Sequence, residues 1–391
     1  MKRVLFLSVL LIVLLGAGYF AWQYFSKSAD GGLSGIFAPQ PPPLAPQAAT
    51  GPVQKVSSGA LVAYFTNDTA TVGVEPNGRV IKIESGASAA ISTASIDTLI
   101  SASFSFDGKK ILAKFGSKTD PLWSIFDVSS AIWTPITDMK LSAAAWAPDS
   151  QTIAYLEKVN DKNNLGTLRL AAPVASSSPT TEKKAVPPPT GGPTTEPARK
   201  TLATIALSDY DIFWLLPDEI ILSAPPSKTA PAFALRYTIK DGVFSPVTYN
   251  EAGTLFKWDT RSGQGLKFYT EKNKNYLMLV DGTGSHLQEL NFITLPNKCA
   301  FQDNSVYCGI PRSGPPARIV LPDDYLKMAY FSSDDFYKIN LSNGSIARIL
   351  DSAGESIDAT DLSLRGSSLY FLNRLDGELY KFEVPASIDA D

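Results

Sequence analysis

The stretch LSAAAWAPDSQTIAYL, residues 141–156, limits most sharply what this chain can fold into. It reads as a short apolar strand, a tight turn at Pro148, Asp149 and Ser150, and a second strand from Thr152. Proline presets φ for such a turn, and aspartate bonds back to its own main chain. The same unit comes earlier as SASFSFDGKKILAKF, residues 101–115, with its turn at Asp107 and Gly108. The two turns lie about 42 residues apart, a spacing that matches one β-propeller blade. A lone blade leaves both of its faces uncovered, so one such unit requires neighbours.

The rest of the chain can supply them. With 391 residues there is room for one large repeat domain, and 44% hydrophobic residues allow a sizeable core. From Pro52 onward the pattern is strand and turn. Residues 52–56, 60–65, 71–74 and 79–83 read as blade one, and Asn77-Gly78 is a strong hairpin signal. Blade two holds the Asp107-Gly108 turn with residues 122–128 and 133–137 as its outer strands. Blade three begins at Leu141, and its register breaks at residues 173–200, a Pro, Thr and Ser-rich insertion that reads as disordered. With that insertion excised, residues 201–207 become the outer strand. The next turn, Pro217 and Asp218, then falls back on the period.

Blade four covers residues 211–246 and blade five 252–290. Blade six has its inner turn around Asp303 and a second insertion at 311–330, in which Pro322-Asp323-Asp324 would open a short helix. Blade seven covers 360–384, with turns at Gly366 and Gly377. The expected fold is therefore all-β, a seven-bladed propeller over residues 52–384 with a tail at 385–391. The recurring period weighs against a β-sandwich or two smaller β domains. Blade seven lacks a fourth strand. Either the chain upstream of Pro52 provides it, or the last blade has three.

The chain opens with Lys2 and Arg3, followed by an apolar run from Val4 to Trp22. That run is long enough to cross a bilayer as a helix. It ends in aromatics that suit a membrane interface, not in a small-residue cleavage site, so a signal anchor over residues 1–25 is preferred to a cleaved signal peptide. The basic flank places the N-terminus in the cytoplasm and the propeller outside the cell membrane. Residues 26–51, rich in Pro and Gly, read as a tether that spans on the order of 80 Å when extended.

The units WAPDSQTIAYL and FSFDGKKILAKF resemble the TolB-type, WD40-like propeller repeat, in which an aromatic, a Ser-Pro-Asp-Gly-like turn and an Ile-Ala-Tyr/Phe strand recur. DGTGSHLQEL, residues 281–290, is similar to the outer hairpin of that repeat. The other units match by spacing, and the Gly-His and Trp-Asp signature of true WD40 blades is missing apart from an isolated Trp258-Asp259. The resemblance implies a propeller, often extracytoplasmic. It implies no single activity, because such propellers bind proteins, sugars and peptides.

Chemistry is sparse. A nucleophile elbow, a P-loop, H-E-x-x-H and the EF-hand spacing are all missing, so no catalytic, cofactor or metal residue is assigned. His286 is the single histidine and reads as a solvated turn residue. The acids Asp107, Asp149, Asp218 and Asp303 recur at one place in the repeat, where turn formation explains them better than a shared metal. Trp123, Phe126, Trp133, Phe213, Trp214, Phe256 and Trp258 read as core between blades. A net charge of -3 gives no electrostatic case for nucleic acid. Cys299 and Cys308 are equidistant from the turn at Asp303-Asn304, which opposes them across two antiparallel strands as a candidate disulfide.

Two function classes follow. The preferred one is a membrane-anchored binding or scaffolding module, not an enzyme, for protein partners at the cell envelope. The alternative is a propeller-face lyase or hydrolase, or a glycan-binding module. Clustered Asp, Glu, Arg and Tyr at the ring's centre would favour the enzyme; an apolar rim enlarged by the blade-six insertion would favour binding.

Overall fold

The computed structural model describes residues 53–386 except 68–69, 85–86, 93–94, 97, 171–197, 207–208 and 249–250. The chain forms a seven-bladed, all-β propeller of seven antiparallel sheets. Among the described residues no helix is long and apolar enough to cross a membrane. The expected anchor and tether lie outside those residues, as does most of the first insertion.

Blade one is Ala63–Thr66, Thr71–Val74, Val80–Glu84 and Ala87–Ala90. Blade two is Leu99–Phe104, Lys110–Gly116, Pro121–Asp127 and Ile132–Ile136. Blade three is Leu141–Trp146, Thr152–Val159, Lys162–Arg169 and Ala198–Ile205. Its outer strand thus begins at Ala198, so Ala198, Arg199 and Lys200 belong to the sheet and not to the insertion. Arg169 pairs with Ala198 and Asn163 with Ile205.

Blade four is Asp211–Leu216, Glu219–Ser223, Ala234–Thr238 and Val243–Pro246. Blade five is Glu251–Trp258, Gly265–Glu271, Lys274–Val280 and His286–Glu289. It gains a fifth strand, Pro231–Ala232, lent by the loop between the second and third strands of blade four. Blade six is Cys299–Gln302, Ser305–Pro311, Asp334–Asn340 and Ile346–Leu350.

Blade seven is Ala359–Arg365, Ser368–Asn373 and Leu379–Glu383, completed by Gln54–Lys55. Gln54 pairs with Lys381 and Lys55 with Tyr380, so the N-terminal side of the propeller closes the ring. Both alternatives held at the sequence level are corrected here. The fourth strand exists, and it comes from just after Pro52, from residues that had been assigned to blade one. Its two residues are exposed and carry no apolar alternation, so periodicity could not find it.

Because neighbouring strands run antiparallel, the ring has two distinct faces. Turns between the first and second strands, and between the third and fourth, lie on one face. Turns between the second and third strands lie on the other, together with the links between blades. The core sits between blades. Phe126, Ile111, Val74 and Val80 fill the space between blades one and two, and Leu156, Leu165, Ile220 and Leu222 that between three and four. Phe336, Phe371 and Phe382 meet between six and seven, with Phe336 4.9 Å from each partner ring. Removing such surfaces from water at roughly 25 cal/mol per Å² is the main driving term for a fold built from blades that cannot stand alone.

Candidate functional site

The repeat-turn residues all fall on the first-hairpin face. Asp107 and Gly108 join the first two strands of blade two, Pro148 and Asp149 those of blade three, Pro217 and Asp218 those of blade four, Asp303 those of blade six and Gly366 those of blade seven. The carboxylates of Asp107 and Asp149 are used locally. Asp149 Oδ1 accepts from the main-chain N–H groups of Gln151 and Thr152, each at 2.8 Å, and its Oδ2 from Thr152 Oγ1 at 2.7 Å. Asp107 Oδ1 accepts from Ser105 Oγ at 2.7 Å and Lys109 N at 3.1 Å. Gly108 has φ +70°, and a Cβ there would lie 2.2 Å from the Phe65 ring of blade one, so only glycine fits. These residues build turns and are not gathered into one site. Among the described residues, no three His, Cys, Asp or Glu side chains group as metal ligands.

Cys299 and Cys308 are directly paired across blade six and form a disulfide with a Cα–Cα distance of 4.1 Å. Both are fully buried in the cluster between blades five and six. His286 is exposed as expected but does not sit in a turn. It opens a strand of blade five, with its ring stacked 5.6 Å from Tyr269 and its Nε2 3.7 Å from Glu251 Oε1. Burial holds its pKa down, and Lys267 nearby adds to that. Of the aromatic residues expected in the core, Trp123, Phe126 and Trp214 are buried and Trp133 and Trp258 pack on the clusters beside them, whereas Phe213 and Phe256 are half-buried and belong to none of these clusters, Phe256 stacking on Trp258.

The most elaborated place in the ring is the blade-six insertion, residues 312–333, on the face of the blade-to-blade links. Within it Asp323–Leu326 makes one helical turn, with Pro322 as its N-cap and two acids at its start. The carboxylate of Asp324 accepts from Val320 N at 2.7 Å, and that of Asp323 from Lys228 N in blade four at 2.9 Å. Tyr325 is buried and faces inward, where Asn297 Nδ2 donates to its hydroxyl at 3.4 Å and to Thr360 Oγ1 at 2.9 Å. The insertion is thus tied to the inner ends of blades four, six and seven.

Beneath it lies a balanced network of two cations and two carboxylates. Lys298 Nζ donates to Asp334 Oδ2 at 2.6 Å, Asp358 Oδ1 at 2.5 Å and Ser332 Oγ at 2.6 Å, which uses all three of its protons. Arg374 Nη1 donates to Asp358 Oδ2 at 2.5 Å. Its Nη2 donates to Tyr325 O at 2.6 Å, and its guanidinium stacks 3.5 Å over the Tyr325 ring. Lys298, Asp334 and Asp358 are fully or almost fully buried. Burial pushes the Asp334 carboxyl up, with the Lys298 ammonium opposing. A charged group this deep persists only when paired and fully hydrogen-bonded, as these are.

On the outer side of the same arginine the surface turns apolar. Leu326 is 46% exposed, Met328 52%, Phe331 39% and Leu375 46%. Arg374 holds them in one place: its Nη2 lies 3.0 Å from Met328 Sδ, its guanidinium is 5.0 Å from the Phe331 ring, and Leu375 is its chain neighbour. Leu122 and Ile132, at opposite ends of the outer strands of blade two, and Val243, on the outer strand of blade four, are also exposed but stand apart. Singly exposed apolar residues are normal, whereas a contiguous group mounted on a rigid base marks a contact surface. Sequence reading located the insertion and its helix but missed Lys298, Asp334, Asp358 and Arg374. No motif links them. The one available signal was four charged residues beside strands otherwise apolar.

No protein-family model matches the sequence, and no curated protein matches it. Solved structures do match the fold. Oligogalacturonate lyase from Vibrio parahaemolyticus aligns over 86% of this chain and 94% of its own, with TM-score 0.53 and 10% identity. TolB from Acinetobacter baumannii aligns over 75% of this chain and 64% of its own, with TM-score 0.42 and 13% identity. The tricorn protease aligns over 87% of this chain, with TM-score 0.48 and 10% identity; the chain spans 34% of that protein's length. At such identities the likeness concerns the fold alone. Together with the seven sheets it defines the chain as a seven-bladed β-propeller, a fold shared by enzymes and other proteins alike.

Proposed function

We propose that this chain is a membrane-anchored, extracytoplasmic binding propeller that takes a protein partner of the cell envelope on the platform formed by its blade-six insertion. The observation that carries the reading is the exposed group Leu326, Met328, Phe331 and Leu375, fixed from below by Arg374 and the Lys298 network. A rigid apolar surface rimmed by polar residues suits a protein contact, whose affinity resides in a few desolvated apolar anchors. The location rests on the sequence: Lys2 and Arg3 before the apolar run of residues 4–22, and a disulfide of the kind that persists outside the cytoplasm.

Capture from cell-envelope extract tests the binding. The full chain is compared with the double variant Leu326→Ser, Leu375→Ser, which changes only exposed side chains. A protein retained by the wild type and lost from the variant is the expected result. Identical retention by both removes the platform from the reading. Protease added to cells with a permeabilised outer envelope tests the location. Digestion of the propeller is expected, and complete protection would overturn it.

A further inference from the structure

The first strand of each blade lies at the inner side of the ring, flanked in blade five by Pro231–Ala232 at Glu251 and Ala252 only, and three of these strands meet at one point. Tyr64 in blade one donates its hydroxyl hydrogen to Asp361 O at 2.6 Å and lies 3.0 Å from Ser363 Oγ, both in blade seven. Lys257 in blade five donates to Leu362 O at 3.3 Å. Blade six stands between five and seven, so this lysine reaches its acceptor across the bore.

The strand that receives them is bulged. Its register shifts between Thr360 and Ser363, and Asp361 sits at φ +51°, in the left-handed region that non-glycine residues rarely adopt. Such local strain concentrates at functional positions. The Asp361 and Leu362 carbonyls are thus occupied by Tyr64 and Lys257, while the Asp361 carboxylate is not used in either contact. Asp361 is exposed as a residue, yet protein surrounds its carboxylate closely enough that burial pushes its pKa up, with Lys257 opposing. Burial likewise pushes the Lys257 amine down, with Asp361 opposing.

The two groups sense each other but do not pair. Among the described residues no carboxylate lies within 4.0 Å of Lys257 Nζ, and no N–H or O–H group donates a hydrogen bond to the Asp361 carboxylate. Lys257 has spent one of its three protons on Leu362 O. A charge left unpaired in a partly desolvated bore is costly, and a ligand of one sign would relieve one group only. A small molecule carrying both an ammonium and a carboxylate would relieve both.

We propose that the bore holds a binding site for a small zwitterion of the amino-acid class, its carboxylate on Lys257 Nζ and its ammonium on the Asp361 carboxylate. This site is independent of the apolar platform and stands or falls apart from it. Isothermal titration calorimetry on the full chain in mild detergent tests it with glycine, β-alanine and γ-aminobutyrate, which differ in the spacing of their charges. Methylamine and acetate serve as single-charge controls. The expected result is that at least one zwitterion binds about tenfold or more tightly than either control.

Asp361→Asn, which keeps the main-chain carbonyl that Tyr64 uses, should weaken that binding about tenfold or more, as should Lys257→Met. Far-ultraviolet circular dichroism confirms that each variant retains its strands, and Lys257→Gln replaces Lys257→Met if the latter does not fold. Absence of binding by all three zwitterions, equal binding of a control, or unchanged affinity in Asp361→Asn overturns the proposal.

Discussion

Between blades two and three the polar contacts are mostly neutral and repeated, with Lys114 Nζ donating to Ser142 O at 3.1 Å as a charged one. Trp123 Nε1 donates to Leu141 O at 3.0 Å, Trp146 Nε1 donates to Ser103 O at 3.0 Å, and Asp107 N donates to Ser150 Oγ at 3.1 Å. Between blades six and seven the equivalent space holds Lys298, Asp334, Asp358 and Arg374, all drawn into one ionic network under the insertion. The first seam can lose a member and remain a packed apolar interface. The second cannot, because removing one ion leaves another buried and unpaired. The difference shows where the ring has been adapted: the ionic seam lies under the one insertion that the structure describes, and it holds that insertion still.

Lys298→Met breaks the comparison most directly. It leaves the buried Asp334 carboxylate without a cation, while Asp358 keeps Arg374, and should cost about 3–5 kcal/mol, read as a lowered urea midpoint. Adding Asp334→Asn to that variant should recover part of the loss, since it removes the stranded charge. An unchanged midpoint in Lys298→Met would mean the network does not bear on the seam's stability.

The disulfide sharpens the same contrast, because it fastens the first two strands of blade six alone. Cys299→Ala with Cys308→Ala should cost about 2–3 kcal/mol by freeing a short loop in the unfolded chain. Thiol counting on denatured, unreduced wild type should give no free thiol. Two free thiols would remove the bridge from the account.

Trp146→Phe probes the neutral seam. It keeps most of the buried ring and loses one hydrogen bond to Ser103 O, so a loss of about 1 kcal/mol is expected. A loss as large as that of Lys298→Met would erase the distinction between the seams.

The same contrast explains what could be read in advance. Blades two and three were legible because Asp107-Gly108 and Pro148-Asp149 are local: turn chemistry and strand alternation lie within a few residues of each other. The disulfide was legible because two cysteines equidistant from a turn must face each other in a regular hairpin. The closing strand Gln54–Lys55 was not, since its partner Leu379–Glu383 lies at the far end of the chain and its own residues are polar. Nor was the ionic network. Lys298, Asp334, Asp358 and Arg374 come from four segments, each ordinary alone, and the packing of blade seven on blade six brings them together.

The smallest effect is expected at the Asp149 turn, and there the sign decides the test. Burial acts to raise the Asp149 pKa, but hydrogen bonds from Gln151 N, Thr152 Oγ1 and Thr152 N together outweigh it and hold the carboxyl below its ordinary 3.8. A carboxyl depressed on folding contributes stability that is fully present above the unfolded value and is lost as pH falls through the folded one. Asp149→Asn removes that dependence while keeping one acceptor oxygen for the turn. The wild type should therefore be the more stable near neutral pH, and its advantage should shrink as pH drops from about 6 to about 3. Asp149 is largely exposed, so solvent screening keeps the difference small. Urea midpoints of the two proteins across that range decide it: an advantage that stays constant or grows on acidification would show that the turn is held by its shape and not by its charge.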